Sequence, residues 1–75
     1  MHLVIKLFAQ YREGRFKVET KAYPQGIDVQ YIIDELGIDK EFPLGVLMVN
    51  GKHQLPTYQP QEGDEIALFP KIGGG

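Results

Sequence analysis

The chain has 75 residues, 43% of them hydrophobic and 24% charged, which is enough for one ordered domain with a thin core but leaves no room for an internal enzyme cleft. Eight basic against ten acidic residues give a formal charge of -2, and the basic ones are scattered from Lys6 to Lys71, unlike the massed footprint of a nucleic-acid binder. Cysteine is absent, which removes disulfides, thiolate metal sites and side-chain persulfides, so any sulfur handled by this protein is not carried by a side chain.

From the N-terminus, residues 2 to 9 are β-rich, with Leu3, Ile5 and Leu7 on one face at period two, and read as a first strand. The polar segment Tyr11 to Arg15 contains Gly14 and reads as a turn. After it Phe16, Val18 and Thr20 alternate with Lys17, Glu19 and Lys21, the pattern of a half-buried second strand joined to the first by a hairpin. Pro24 and Gly26 punctuate the chain. Val29, Ile32, Ile33 and Leu36 then follow at the spacing of one helical face, with Asp28 suited to the N-cap and Gly37 to the C-terminal position that needs positive φ. Ile27 and Ile32 occupy the two positions of a hydrophobic staple.

Val46 to Val49 is apolar on both alternations and too short for a helix, which predicts a central strand, and Asn50-Gly51 supplies a tight turn. Leu55 to Gln61 carries two prolines and reads as loop, Gly63-Asp64 as a turn, and Glu65 to Phe69 as a last strand stopped by Pro70. The order hairpin, helix, strand, strand contains one large amphipathic element and one sheet face in need of cover. Laying the helix across a mixed sheet, with the first and last strands as central neighbours, satisfies both. The predicted class is α+β, a β-grasp body over residues 1–70 followed by a flexible tail over residues 71–75.

No stretch reaches the length of a membrane span, and Met1 to Lys6 lacks both the basic leader and the small-residue cleavage site of a signal peptide, so a cytoplasmic protein is expected. His2 and His53 have no partner at metal-ligand spacing and read as surface residues. Glu62, Asp64 and Glu65 flank Gly63 and read as a solvated turn in preference to an acid/base pair. Gly73 to Gly75 are not a phosphate cradle, because no helix follows them and no P-loop Lys-Ser pair is present.

The end of the chain, Lys71-Ile72-Gly73-Gly74-Gly75, calls for its own reading. Three consecutive glycines bury no side chain and lose the most backbone entropy on ordering, so they do not hold a fold together. A frayed end is one account. The other is a thread that enters a narrow slot in a partner and brings the terminal carboxylate to a reactive centre; the five residues after Pro70 reach on the order of 17 Å when extended.

Leu7-Phe8-Ala9-Gln10-Tyr11-Arg12-Glu13 near the start, Val49-Asn50-Gly51 in the middle and Gly63 through Gly75 at the end resemble the MoaD/ThiS family of ubiquitin-like sulfur carriers, more closely MoaD, the small subunit of molybdopterin synthase. The resemblance spans essentially the whole chain. It implies a ubiquitin-like β-grasp and a carrier that is not itself an enzyme and binds no cofactor. Gly75 would be adenylated by an E1-like enzyme of the MoeB/ThiF type using ATP, then converted to a thiocarboxylate. That order makes chemical sense, because a carboxylate is a poor electrophile and an acyl adenylate gives an incoming sulfur nucleophile a good leaving group.

Further implied partners are a sulfur donor protein and either a large synthase subunit of the MoaE type or a thiazole synthase. By position, Gly74 and Gly75 match the family's terminal diglycine and Gly73 joins them in the thread and loosens it, while Phe8 and Phe69 match aromatic positions on the family's partner-binding sheet face. Ordinary core packing is the competing account of both phenylalanines. Phe8 falls opposite in alternation to Leu3, Ile5 and Leu7, and Phe69 is out of phase with Ile66 and Leu68, which favours the outer face. Gly73 stands where relatives often carry a side chain, and His53 where the partner face is often apolar. Pterin assembly is the leading expectation; a thiamine-pathway carrier, a protein modifier joined to target lysines, and a plain scaffold with an inert tail are the alternatives.

Overall fold

The computed structural model describes residues 1–71. Five strands, β1 (His2–Leu7), β2 (Val18–Ala22), β3 (Leu44–Val49), β4 (Lys52–His53) and β5 (Glu65–Pro70), form one sheet in the order β2-β1-β5-β3-β4, and the helix α1 (Val29–Leu36) follows β2 in the chain. β1 and β5 pair in parallel while every other neighbour is antiparallel. This is the mixed sheet of a ubiquitin-like β-grasp, with the first and last strands side by side as the apolar pattern predicts.

Period-two alternation sends Leu3, Ile5 and Leu7 of β1, Leu47 and Val49 of β3, and Ile66 and Leu68 of β5 into one buried cluster with Val29, Ile32 and Ile33 of α1. Full burial of each such side chain stabilises the fold by roughly 1.5–3 kcal/mol, and a chain of this size has few to spare. The helix starts where Asp28, in extended conformation, accepts a hydrogen bond from the Tyr31 amide at 3.0 Å. It stops at Gly37, whose φ of 65° is left-handed and lets its amide return to the carbonyls of Ile33 and Asp34.

Several expectations need correction. β1 ends at Leu7, not at residue 9, because Ala9 takes a φ of 51° and begins a 3-10 turn over Ala9–Arg12. That turn buries Tyr11 completely, and its hydroxyl donates to the Phe42 carbonyl at 2.7 Å; the segment is a core plug, not a polar turn. Val18, at 51% exposure, and Thr20 are not in the half-buried row. They lie opposite Lys6 and Val4 on the face away from the helix, whereas Lys21 is on the helix side and reaches Glu35 at 3.0 Å. The reason is register: Lys21 pairs with the buried Leu3 on the helix side of this edge strand, where a lysine can lay its stem on the core and keep its charge in water. Strand β4 was also absent from the sequence reading, and β3 starts two residues earlier than the apolar run.

Candidate functional site

The second face of the sheet has no helix on it. β1, β5 and β3 send Val4, Ala67, Phe69, Val46 and Met48 to that side, in the register Lys6 with Ala67, Val46 with Phe69, and Met48 with both Ala67 and His53. Val46 is exposed and Val4, Ala67, Phe69 and Met48 are half-buried, so this face remains apolar and open to water. Lys6 and Glu65 make an ion pair of 3.0 Å across it.

Phe8 and Phe69 meet at one end of the face. Their ring centroids are 4.1 Å apart with planes within 12° of parallel, and both are half-buried. The contact joins residues from opposite ends of the sequence because β1 and β5 run parallel, which brings their C-terminal ends to the same end of the sheet. The turn after β1 braces the pair: the Arg12 Nε donates to the Leu7 carbonyl at 2.7 Å, and the guanidinium lies 5.0 Å from the centre of the Phe8 ring.

Beside Phe69 the surface sinks into an open hollow of about 570 Å³ lined by Gly45, Val46, Met48, His53, Phe69, Pro70 and Lys71. Its floor is made by a β-bulge at Gly45, where the register passes from Leu44 opposite Pro70 to Val46 opposite Phe69. The extra residue turns Val46 outward beside Phe69. Backbone pairing continues past the strand: the Lys71 amide donates to the Pro43 carbonyl at 2.8 Å. The last described residue, Lys71, therefore lies at the rim of the hollow, next to the aromatic pair.

The ionisable groups with displaced pKa values lie elsewhere, and each has a structural cause. Burial pushes the Tyr23 hydroxyl far above 10.0, helped by its hydrogen bond to Glu35 at 2.7 Å. Burial alone would raise Glu35, but the hydrogen bonds from Tyr23 and Lys21 outweigh it and hold the carboxyl below 4.5. Desolvation works the same way against Asp64, and donors from the Gln61 amide, Asn50 and Tyr58 overcome it. Glu62 is held low by the His2 amide, and Tyr11 is raised by burial. None of these groups sits on a strand, and among the described residues no three His, Cys, Asp or Glu are placed to hold a metal ion. Among the described residues the outer face carries apolar side chains and the Lys6–Glu65 ion pair.

Of the residues marked in the sequence, Phe8 and Phe69 are brought together on the open face, and Gly73, Gly74 and Gly75 lie outside the described residues. His2 and His53 are exposed, the former paired with Glu62 at 3.4 Å. Sequence reasoning missed Val46, Met48, Gly45 and Arg12. The apolar character of Val46 to Val49 on both alternations was the available signal, since one helix covers only one face of a sheet.

The ThiS family model matches residues 5–75. No curated protein sequence matches the chain. Among solved structures it is similar to the protein assigned as molybdopterin converting factor, subunit 1, of Pyrococcus furiosus, with a TM-score of 0.79, 24% identity and coverage of 96% of this chain and 99% of that one. It is also similar to small archaeal modifier protein 1 of Haloferax volcanii, with a TM-score of 0.75, 23% identity and coverage of 95% and 98%. A complex of subunits 1 and 2 of the molybdopterin-converting factor from Helicobacter pylori matches with a TM-score of 0.66, 20% identity and full coverage of both chains. With the family match running through residue 75 and these structures sharing its β-grasp, the chain belongs to the ThiS family.

Proposed function

We propose that this protein is a sulfur carrier whose Gly75 carboxylate is the working group. An E1-like enzyme uses ATP to form the Gly75 acyl adenylate, releasing pyrophosphate. A sulfur nucleophile from a donor protein then displaces AMP, and the resulting thiocarboxylate gives its sulfur to a cofactor precursor, in molybdopterin or tungstopterin assembly first and thiamine assembly second. The protein acts in the cytoplasm as a carrier subunit, with residues 1–70 as its body and residues 71–75 as its thread.

The observation that carries this reading is the meeting of three features at one end of the sheet: the Phe8–Phe69 stack, the apolar hollow, and Lys71, the last described residue, held to the Pro43 carbonyl. A partner seated on the open face would find the C-terminal residues at its rim, with Gly73, Gly74 and Gly75 narrow enough for a tight slot. The subunit 1 and 2 complex among the similar structures supports a large synthase subunit of the MoaE type as one such partner. Similarity to an archaeal modifier protein favours a second reading, in which the activated glycine is joined to target lysines.

Incubation of the chain with its activating enzyme, ATP and a sulfur donor should raise the intact mass by the replacement of one carboxylate oxygen with sulfur. An unchanged mass beside an enzyme that demonstrably charges another carrier would refute the proposal. Lysine-linked adducts in place of free thiocarboxylate would favour the modifier reading.

A further inference from the structure

Gly45 is not required by backbone conformation, for its φ lies outside the positive range that five other glycines of the chain occupy. Space is what requires it. A Cβ on Gly45 would stand 2.7 Å from the Lys71 Cα, 2.8 Å from the Lys71 nitrogen and 2.8 Å from the Pro70 carbonyl oxygen. All three are backbone atoms, so no side-chain rotation relieves the clash. The missing side chain lets the last two described residues lie flat against the start of β3, close enough for the Lys71 amide to reach the Pro43 carbonyl at 2.8 Å.

We propose that Gly45 is a positioning residue for the C-terminal thread, an inference that rests on the carrier reading above. The contact with β3 sets the origin of the thread at Lys71, not at Pro70, so residues 72–75 span at most about 14 Å from a fixed point. For a thread this short the origin matters. The carboxylate must come into line with a phosphorus atom of ATP, and misplacement by about 1 Å costs on the order of a hundredfold in rate. Any side chain at residue 45 forces Pro70 and Lys71 off β3 by a comparable distance, while the Phe8–Phe69 stack is left in place. Docking and delivery are therefore separable: the open face governs affinity, and Gly45 governs where the thread begins.

The test compares the full chain with Gly45→Ala and with Lys71→Pro, which replaces the amide hydrogen with a ring carbon and so ends the bond to the Pro43 carbonyl without changing a residue of β3. Three quantities are measured: exchange of the Lys71 amide, affinity for the activating enzyme, and the rate of adenylation at saturating carrier. In the wild type the Lys71 amide should be protected, and in Gly45→Ala it should exchange freely. Both variants should be adenylated roughly tenfold or more slowly at saturating carrier, a loss larger than any loss of affinity from the altered rim of the hollow. Wild-type rates in both variants, or an unprotected Lys71 amide in the wild type, would overturn the inference and leave the carrier reading standing. A parallel loss of affinity would also overturn it, because the substitutions would then be acting through the docking face. If the wild type is never adenylated, the carrier reading fails by itself. The clamp is then judged on exchange, with equal protection in wild type and Gly45→Ala counting against it. Should Gly45→Ala fail to fold, Lys71→Pro carries the kinetic comparison.

Discussion

Replacing Phe8 and Phe69 with alanine, singly and together, separates a docking pair from a core pair. Truncating a fully buried phenylalanine costs about 3–5 kcal/mol, but both rings here are half-buried on the open face. Each single substitution should therefore cost about 2 kcal/mol, from partial burial together with a stacking contribution of about 0.5–1.5 kcal/mol. Because the stack at 4.1 Å is lost on removing either ring, the double variant should be less destabilised than the sum of the singles by about 1 kcal/mol. In a domain of this length each kcal/mol moves the melting temperature by about 4–8 °C, so thermal melts resolve the cycle.

The same variants, still folded at assay temperature, should lose about 30-fold or more in affinity for the activating enzyme, the loss of a hot spot worth about 2 kcal/mol. Singles that cost as much as a core phenylalanine, a coupling near zero, or an affinity unchanged within a factor of two would each refute the assignment of this face.

Tyr11→Phe deprives the Phe42 carbonyl of its donor inside the core and should cost about 1–3 kcal/mol in a urea or thermal melt; a negligible change would mean that the 2.7 Å bond contributes nothing. Tyr23 holds its proton in the folded state at pH values where the unfolded chain loses it, because its pKa is raised well above 10.0. Wild-type stability should thus fall as pH rises past 10, and Tyr23→Phe, less stable by about 1 kcal/mol at neutral pH, should close the gap there. Asp64 has the opposite sign: its pKa is lowered from 3.8, so its contribution is present above that pH and is lost as pH falls through the folded value. Asp64→Ala should cost about 1–2 kcal/mol at pH 7, discounted for solvent exposure, with the difference from wild type shrinking in acid titrations; a pH-independent difference would refute the charge-assisted account.

The helix was legible because its signals are local. Asp28, Gly37 and the Val29-Ile32-Ile33-Leu36 spacing each act within a few residues, and each does in the structure what its type suggests. The parallel pairing of β1 with β5 was legible for another reason: the most apolar strands take the middle of a sheet. Tyr11 was not, because a tyrosine among Gln10, Arg12 and Glu13 looks solvated until a carbonyl thirty-one residues away accepts its hydroxyl. Val18 and Thr20 were assigned to the wrong face for the same kind of reason. Alternation along β2 shows two faces but not which one the helix covers, and that depends on register with Lys6 and Val4. Gly45 carried no sequence signal at all, since the backbone that excludes a side chain there belongs to Pro70 and Lys71.

The fold divides two tasks that an enzyme would combine in one cleft. Glu35, Asp64 and Glu62 spend their hydrogen-bonding capacity on holding the helix to β2, closing the turn before β5 and tying down the N-terminus. The open face is left with apolar side chains and the Lys6–Glu65 ion pair. On the proposed reading, a mainly apolar face lets one body be bound by shape while the chemical state of the terminal glycine changes. Substitutions on the face should consequently change affinity for every partner while leaving chemistry at the terminus intact. Substitutions at the root of the thread should do the reverse. Parallel pairing of β1 with β5 allows both, because it places Phe8 and the last described residue, Lys71, at one end of the sheet.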